Sequence, residues 1–215
     1  MEVAEAAEKI RESVEEHRIA DERFRRRAAV AVGVLAMLLA ITHLGGAAAT
    51  KETITYNILA SDTWAFFQAK NIRQTSNQLA ADQLELRLLH DAGLSAEARA
   101  SIQQRADRYR ATAARYESEP DPKDPTNPLK GEGKRELTAR ARNWEKMRDH
   151  AQQQIPNFEY SEALFQIGIV LGSVSIVAAA RWLLGLGLAL GVIAMGLMLN
   201  GFFLFTNLPG GQVPH

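Results

Sequence analysis

The chain contains no cysteine, which excludes disulfides, thiolate nucleophiles and Cys-ligated metals and leaves packing alone to hold the fold. Charge of one sign is not in excess either. The 25 Lys and Arg balance 25 Asp and Glu, so nothing in the overall charge draws the protein to nucleic acid. Catalytic signatures are missing as well. His17, His43, His90, His150 and His215 fall in different segments, with no HExxH pattern or other paired ligand spacing. There is no serine nucleophile elbow, and the carboxylates lie at helical spacings beside basic neighbours, where solubility is their ordinary role. Lys130-Gly131-Glu132-Gly133-Lys134 lacks the glycine spacing and the Lys-Ser/Thr ending of a phosphate-binding loop. These absences predict a non-enzymatic protein with no catalytic residue, metal or cofactor.

What the chain does have is two long apolar blocks, 28–49 and 163–205, on either side of a polar middle at 50–162. The first has 22 residues and as a helix reaches about 33 Å, enough for a bilayer core. A cleaved signal peptide is the competing reading, with Arg25 to Arg27 as its basic region and Ala47 to Ala49 as its cleavage site. The long acidic leader and overlong apolar core argue against it. The second block is broken only by Arg181-Trp182 and divides into spans at 163–180 and 183–205. Seven basic residues in 8–27, against Lys51 alone in 50–69, place the N-terminus in the cytoplasm and the middle segment outside, periplasmic or extracellular. Arg181 and Trp182 then fall on the cytoplasmic side, while Tyr160 and Phe165 mark the opposite interface.

Several residues in the spans invite a role. Thr42 and His43 lie late in the first span, where an imidazole reaches headgroups; proton or ion handling is the second reading. Gly168 with Gly172 and Gly187 with Gly191 have the small-residue spacing that allows close helix approach, within the chain or between copies. Asn200 and Gln166, near span ends, are placed to bond between helices.

Residues 1–27 repeat Val3, Ala7, Ile10, Val14, His17, Asp21 and Phe24 at spacings of four and three. This is an amphipathic helix that seeks a partner, lies on a surface, or extends the span behind it. From Ile54 to Leu86 no proline or glycine intervenes, and Ile58, Ala65, Ile72, Leu79 and Leu86 recur every seventh residue, which predicts one packing face of a long helix. Beside it, Asn57, Ser61, Trp64, Gln68, Asn71, Thr75, Gln78 and Asp82 form a polar stripe that either fixes coiled-coil register or faces water. Trp64, Phe66 and Phe67 are expected against a partner helix, and with Gln68 and Asn71 they make the candidate interaction site.

His90 to Gly93 reads as a helix stop and Ser95 as a restart cap. Pro120, Pro122, Pro125 and Pro128, with Gly131 and Gly133, predict an exposed tip at 119–133 where the chain reverses. After it, Leu137, Ala141, Trp144, Met147, Ala151, Ile155 and Phe158 supply a return stripe, with Pro156 placed to kink it. The expected fold is therefore all-α. It comprises a helix at 1–27, a span at 28–49, an extramembrane, coiled-coil-like helical hairpin at 50–162, spans at 163–180 and 183–205, and a tail at 206–215. The 17 basic and 17 acidic residues between Thr50 and Glu162 suit the solvated faces of such a hairpin and not a nucleic-acid surface.

The order Tyr56-Asn57, Asp62-Thr63-Trp64, Phe67-Gln68-Ala69-Lys70 and Ile72-Arg73, after one span and before a charged helix and a terminal pair of spans, resembles the bacterial membrane family defined as domain of unknown function 4337. The layout covers nearly the whole chain and the local motif only residues 56–73. The resemblance implies a multi-pass protein of the bacterial inner (plasma) membrane with three spans and no assigned reaction. It carries over no catalytic residue. The leading function is a structural or interaction scaffold, with the lipid bilayer and either further copies in a homo-oligomer or a helical protein as partners. A subunit of an oligomeric channel or transport accessory is an alternative, with His43 and the polar stripe around a water-filled path. An envelope sensing or signalling module, in which the N-terminal helix responds to the outer segment, is the other.

Overall fold

The structure, a computed structural model, describes residues 2–206, with side chains at Glu8, at Arg11 and from Val14 onward. The side chains of Val3, Ala7 and Ile10 and the tail at 207–215 lie outside the described residues. Four helices follow one another: α1 (Glu2–His90), α2 (Ala96–Glu117), α3 (Lys134–Ala178) and α4 (Arg181–Phe203). No strand occurs among the described residues. α1, α3 and α4 each contain a stretch long and apolar enough to cross a membrane. The N-terminal helix, first span and outbound helix are one uninterrupted element, because no proline precedes Pro120 and glycines such as Gly45 and Gly46 are tolerated in apolar helices. Pro156 lies inside α3 without ending it. The chain forms two compact units, one of residues up to Glu52 with those from His150 on, the other Thr53–Asp149.

The first unit is a bundle of α1, α3 and α4 around Leu35, Phe165, Ala194 and Met198. Its helices meet at glycines. A Cβ at Gly168 would lie 2.9 Å from the Gly187 carbonyl oxygen and one at Gly187 would lie 2.8 Å from that of Gly168, so α3 and α4 touch backbone to backbone. Gly172 receives Val32 and Gly191 receives Leu35, both from α1. Phe158 fills a notch between Gly45 and Gly201 and meets Phe202 edge-on at 5.0 Å between ring centroids. The paired glycines thus seat the terminal hairpin against itself and the first span. Phe165, expected at an interface, is instead fully buried, because the small Ala194 in the same cluster leaves room for its ring.

The buried hydroxyls in this unit are satisfied within it, as burial requires. Thr42 Oγ1 donates to the Leu38 carbonyl at 2.8 Å, and Ser161 Oγ donates across to the Ala194 carbonyl on α4 at 2.7 Å. The turn between α3 and α4 places Ala179 at φ 51°, a left-handed conformation that costs a non-glycine residue roughly 1–2 kcal/mol. Arg181, just beyond it, lies 3.8 Å from Asp21 and over the Phe24 ring. The turn and the segment that precedes the first span therefore share one end of the unit.

The second unit packs α2 and the start of α3 on α1. Its chain reverses at residues 91–95 and not at the proline-rich loop. Ser95 caps α2 by accepting the Ala98 amide at 3.2 Å. Arg99 reaches the Leu88 and Asp91 carbonyls, Arg110 bonds Glu85, and Gln74 donates to the Ala113 carbonyl at 3.1 Å. α2 therefore returns antiparallel along α1, and the loop at 118–133 then links it to α3. The reversal is early because the stop at Asp91 to Gly93 is followed at once by a capped helix, so a short turn suffices.

The inward face of α1 in this unit also differs from the expected one. Ala60, Thr63, Lys70, Gln74 and Ala81 are buried and Phe67 is half-buried. Ile58, Ile72, Leu79 and Leu86 are between 53% and 65% exposed. Buried alanines on every helix of the unit, among them Ala81, Ala106, Ala113 and Ala141, permit closer approach than an Ile and Leu seam would. Leu137 and Ala141 of the return stripe do turn inward, whereas Met147 is exposed.

Gly168→Ala is expected to destabilise the first unit by about 1–3 kcal/mol, as forced overpacking does. Gly196, where a Cβ would meet nothing within 4 Å, serves as the control. Unfolding of the two variants in detergent, followed by circular dichroism, separates them; equal stability would contradict the backbone contact.

Candidate functional site

The stretch from Tyr56 to Gln74 holds most of the distinctive chemistry. Tyr56 stacks on Trp144 at 5.9 Å. Trp64 donates its indole N–H to Glu145 at 2.8 Å and meets Phe67 edge-on at 5.5 Å. The helix that Trp64 and Phe67 were expected to find is therefore the chain's own α3. Phe66 is 37% exposed, Gln68 is exposed and Asn71 half-buried.

Two residues farther along the seam carry a cation and an amide into it. Lys70, buried in the second unit, has its Nζ 3.0 Å from Glu119 and 3.6 Å from Glu132, with the rings of Phe66 and Tyr116 at 5.3 and 5.8 Å. An ammonium taken out of water carries a penalty of several kcal/mol that only such partners offset. Gln74 donates to Ala113 and to Glu117 at 3.0 Å and accepts from Lys134 at 2.7 Å. Lys134 also bonds Glu117 and lies 5.7 Å from the Phe67 ring.

The proline-rich loop closes on this cluster. Glu136, buried at the start of α3, accepts from Ser118 Oγ at 2.7 Å and from the Glu119 amide at 3.2 Å. The Glu132 amide donates to the Glu119 carbonyl at 2.9 Å. A Cβ at Gly131 would fall 2.5 Å from that carbonyl oxygen and one at Gly133 2.3 Å from the Glu119 nitrogen. No other residue fits there without moving the loop. Hydrogen bonds from Gln74 and then Lys134 hold the Glu117 carboxyl below its ordinary range. Burial pushes Glu136 up, but the bonds from Ser118, its own amide and the Glu119 amide outweigh this and leave it below 4.5.

In the first unit His43 is exposed, with its Nδ1 3.3 Å from Glu162. Asn200 is buried; its amide donates to Asn157 at 2.6 Å and to the Thr206 carbonyl at 2.8 Å, and its oxygen accepts the Thr206 amide. Asn200 therefore ties the end of α4 to α3. Gln166 is exposed. Among the described residues no three His, Asp or Glu converge as a metal-binding group would. Sequence reasoning missed Lys70, Gln74 and Glu136. The signal for Lys70 and Gln74 was present in the α1 heptad series Ala60, Phe67, Gln74, Ala81 and Thr63, Lys70, which apart from Phe67 is small or polar and so ranks below the Ile and Leu series on apolarity alone; Glu136 had no such signal.

Compared with models of protein families, residues 24–204 match the one described as Domain of unknown function (DUF4337). The chain belongs to that family. Compared with curated proteins and with solved structures, it matches none.

The carboxyls of Glu117 and Glu136 are held low in the folded state, so their contribution to loop closure is fully present above their ordinary pKa of 4.5 and is lost as the pH falls through the lower folded values. Protease cutting within 118–133 is expected to rise with acidification below that point. Glu136→Gln keeps an acceptor and removes this carboxyl's titration, so it should be cut more readily at neutral pH and show a shallower acid dependence. A variant that closes the loop as tightly as the natural chain at pH 7 would contradict the role of the carboxylate.

Proposed function

We propose that this DUF4337 protein is a non-enzymatic integral membrane protein acting as a structural or interaction scaffold, a three-span anchor that carries an extramembrane helical unit. Three membrane-length helices support the anchor. The observation that carries the scaffold reading is the division of labour on α1 in the second unit. Its reactive-looking groups, Lys70 and Gln74, are consumed by partners within the chain, while an apolar heptad series points outward. An exposed apolar stripe at heptad spacing is what helical partners recognise.

The buried polar groups of the first unit fit an anchor better than a conduit, since Thr42, Ser161 and Asn200 each bond inside it. A channel accessory is favoured only by the exposed pair of His43 and Glu162. The basic residues before the first span support a cytoplasmic N-terminus and an outer middle segment, and the bacterial inner membrane is the location proposed.

Because the chain has no cysteine of its own, single cysteines at Glu16 and Thr126 can be probed with a membrane-impermeant thiol reagent. They are expected to label from opposite faces of sealed vesicles. Labelling of both from one face would contradict the anchor. Proteoliposomes should show no ion flux above protein-free ones, and a flux abolished by His43→Ala would favour the channel reading instead.

A further inference from the structure

We propose that the outward stripe of Ile58, Ala65, Ile72 and Leu79 is covered by the same stripe of a second copy of this chain, packed parallel and in register. The inference rests on the scaffold reading and names its partner. In the second unit the stripe occupies the heptad position opposite the intramolecular seam, since Ala60, Phe67, Gln74 and Ala81 follow it two residues later at every repeat. The fold of one chain therefore leaves it free, with Ile58, Ile72 and Leu79 each more than half exposed.

The flanks say which partner fits. Taking the stripe as the first core position of a parallel two-stranded coil makes Ser61, Gln68, Thr75 and, at its far end, Asp82 the second, all exposed and all but Asp82 uncharged. The edge residues then pair five apart between copies, Asn71 with Ser76 and Gln78 with Gln83. Amide and hydroxyl groups both donate and accept, so each is complementary to its own copy. At the core and edge positions from Ala65 to Leu79 no charge meets its own copy, since Lys70 is buried in the seam and Arg73 lies outside those positions, and the uncharged contact ends at Asp62 on one side and short of Asp82 on the other. Arg73 flanks these positions, but among them a strongly charged partner helix would find no counter-charge.

The direction follows from the membrane. Copies inserted the same way share the sense of α1, which runs as one helix from the apolar block through the stripe, so a side-by-side contact of their stripes along that helix is parallel. The contact is small, because the stripe and its flanks supply about a dozen residues a side where a standard soluble interface has roughly 20–30. Confinement to one bilayer raises the effective concentration enough for such a contact to form. Association therefore belongs to the full chain in the membrane.

The test uses single-cysteine variants of the full chain, Ile72→Cys and Leu79→Cys, oxidised in membranes, with the exposed Arg73→Cys as control. Because a disulfide requires Cα atoms within about 7 Å, crosslinked dimer is expected about tenfold above the control. A yield no higher than that at Arg73→Cys would overturn the proposal, as would crosslinking of Ile58→Cys to Leu86→Cys in mixed membranes, which requires an antiparallel contact. Counting subunits of the unsubstituted chain by single-molecule photobleaching in membranes guards against a misfolded variant, and one bleaching step per particle would overturn it independently. Crosslinking of Ile72→Cys to a different protein would overturn the second copy and leave the scaffold reading intact. One-sided labelling of Glu16→Cys and Thr126→Cys would remove that reading itself.

Discussion

A lysine ammonium inside a helical seam needs anions beside it, and the second unit is arranged around meeting that need. Lys70 lies where an aliphatic residue would ordinarily sit, and Glu119 and Glu132, both from the proline-rich loop, supply the charge. The loop in turn is held by the buried Glu136 and by two glycines that admit its backbone. Gln74 and Lys134 extend the same network to α2 and α3. Glu119 and Glu132 remain partly open to water, which lowers the worth of each pair. The network accordingly fixes position more than it adds stability.

With polar groups and alanines filling the seam, the bulky aliphatic residues of α1 go to the other side. That inversion leaves an apolar stripe exposed along the unit. In the first unit the opposite solution applies, with glycines drawing backbones together and a single large ring, Phe158, filling the space they leave. Hydroxyl and amide groups there close on neighbouring carbonyls and on each other. Both units use small residues for close approach, glycines in the first and alanines in the second.

Much of this was legible in the residues themselves. The apolar blocks gave the three membrane-length stretches, Ser95 marked the start of α2, and the paired glycines marked helix contacts. The inward face of α1 was not legible, because Ile58, Ile72, Leu79 and Leu86 present the stronger heptad, and a seam containing Lys70 and Gln74 is acceptable only when Glu117, Glu119 and Glu132 arrive from far along the sequence. The place of reversal was misread for a related reason. Four prolines signal a break more loudly than Asp91 to Gly93, yet the capped start at Ser95 lets the shorter signal turn the chain. Phe165 reads as an interfacial aromatic until the small Ala194 beside it is known.

The central claim is that α1 turns its small and polar face inward and its aliphatic face outward. A pair of engineered cysteines tests it most directly, since Gln74 bonds the Ala113 backbone. Gln74→Cys with Ala113→Cys is predicted to form a disulfide within one chain, while Ile72→Cys with Ala113→Cys is predicted not to. Ready intramolecular oxidation of the Ile72 pair, with the Gln74 pair left reduced, would contradict the account.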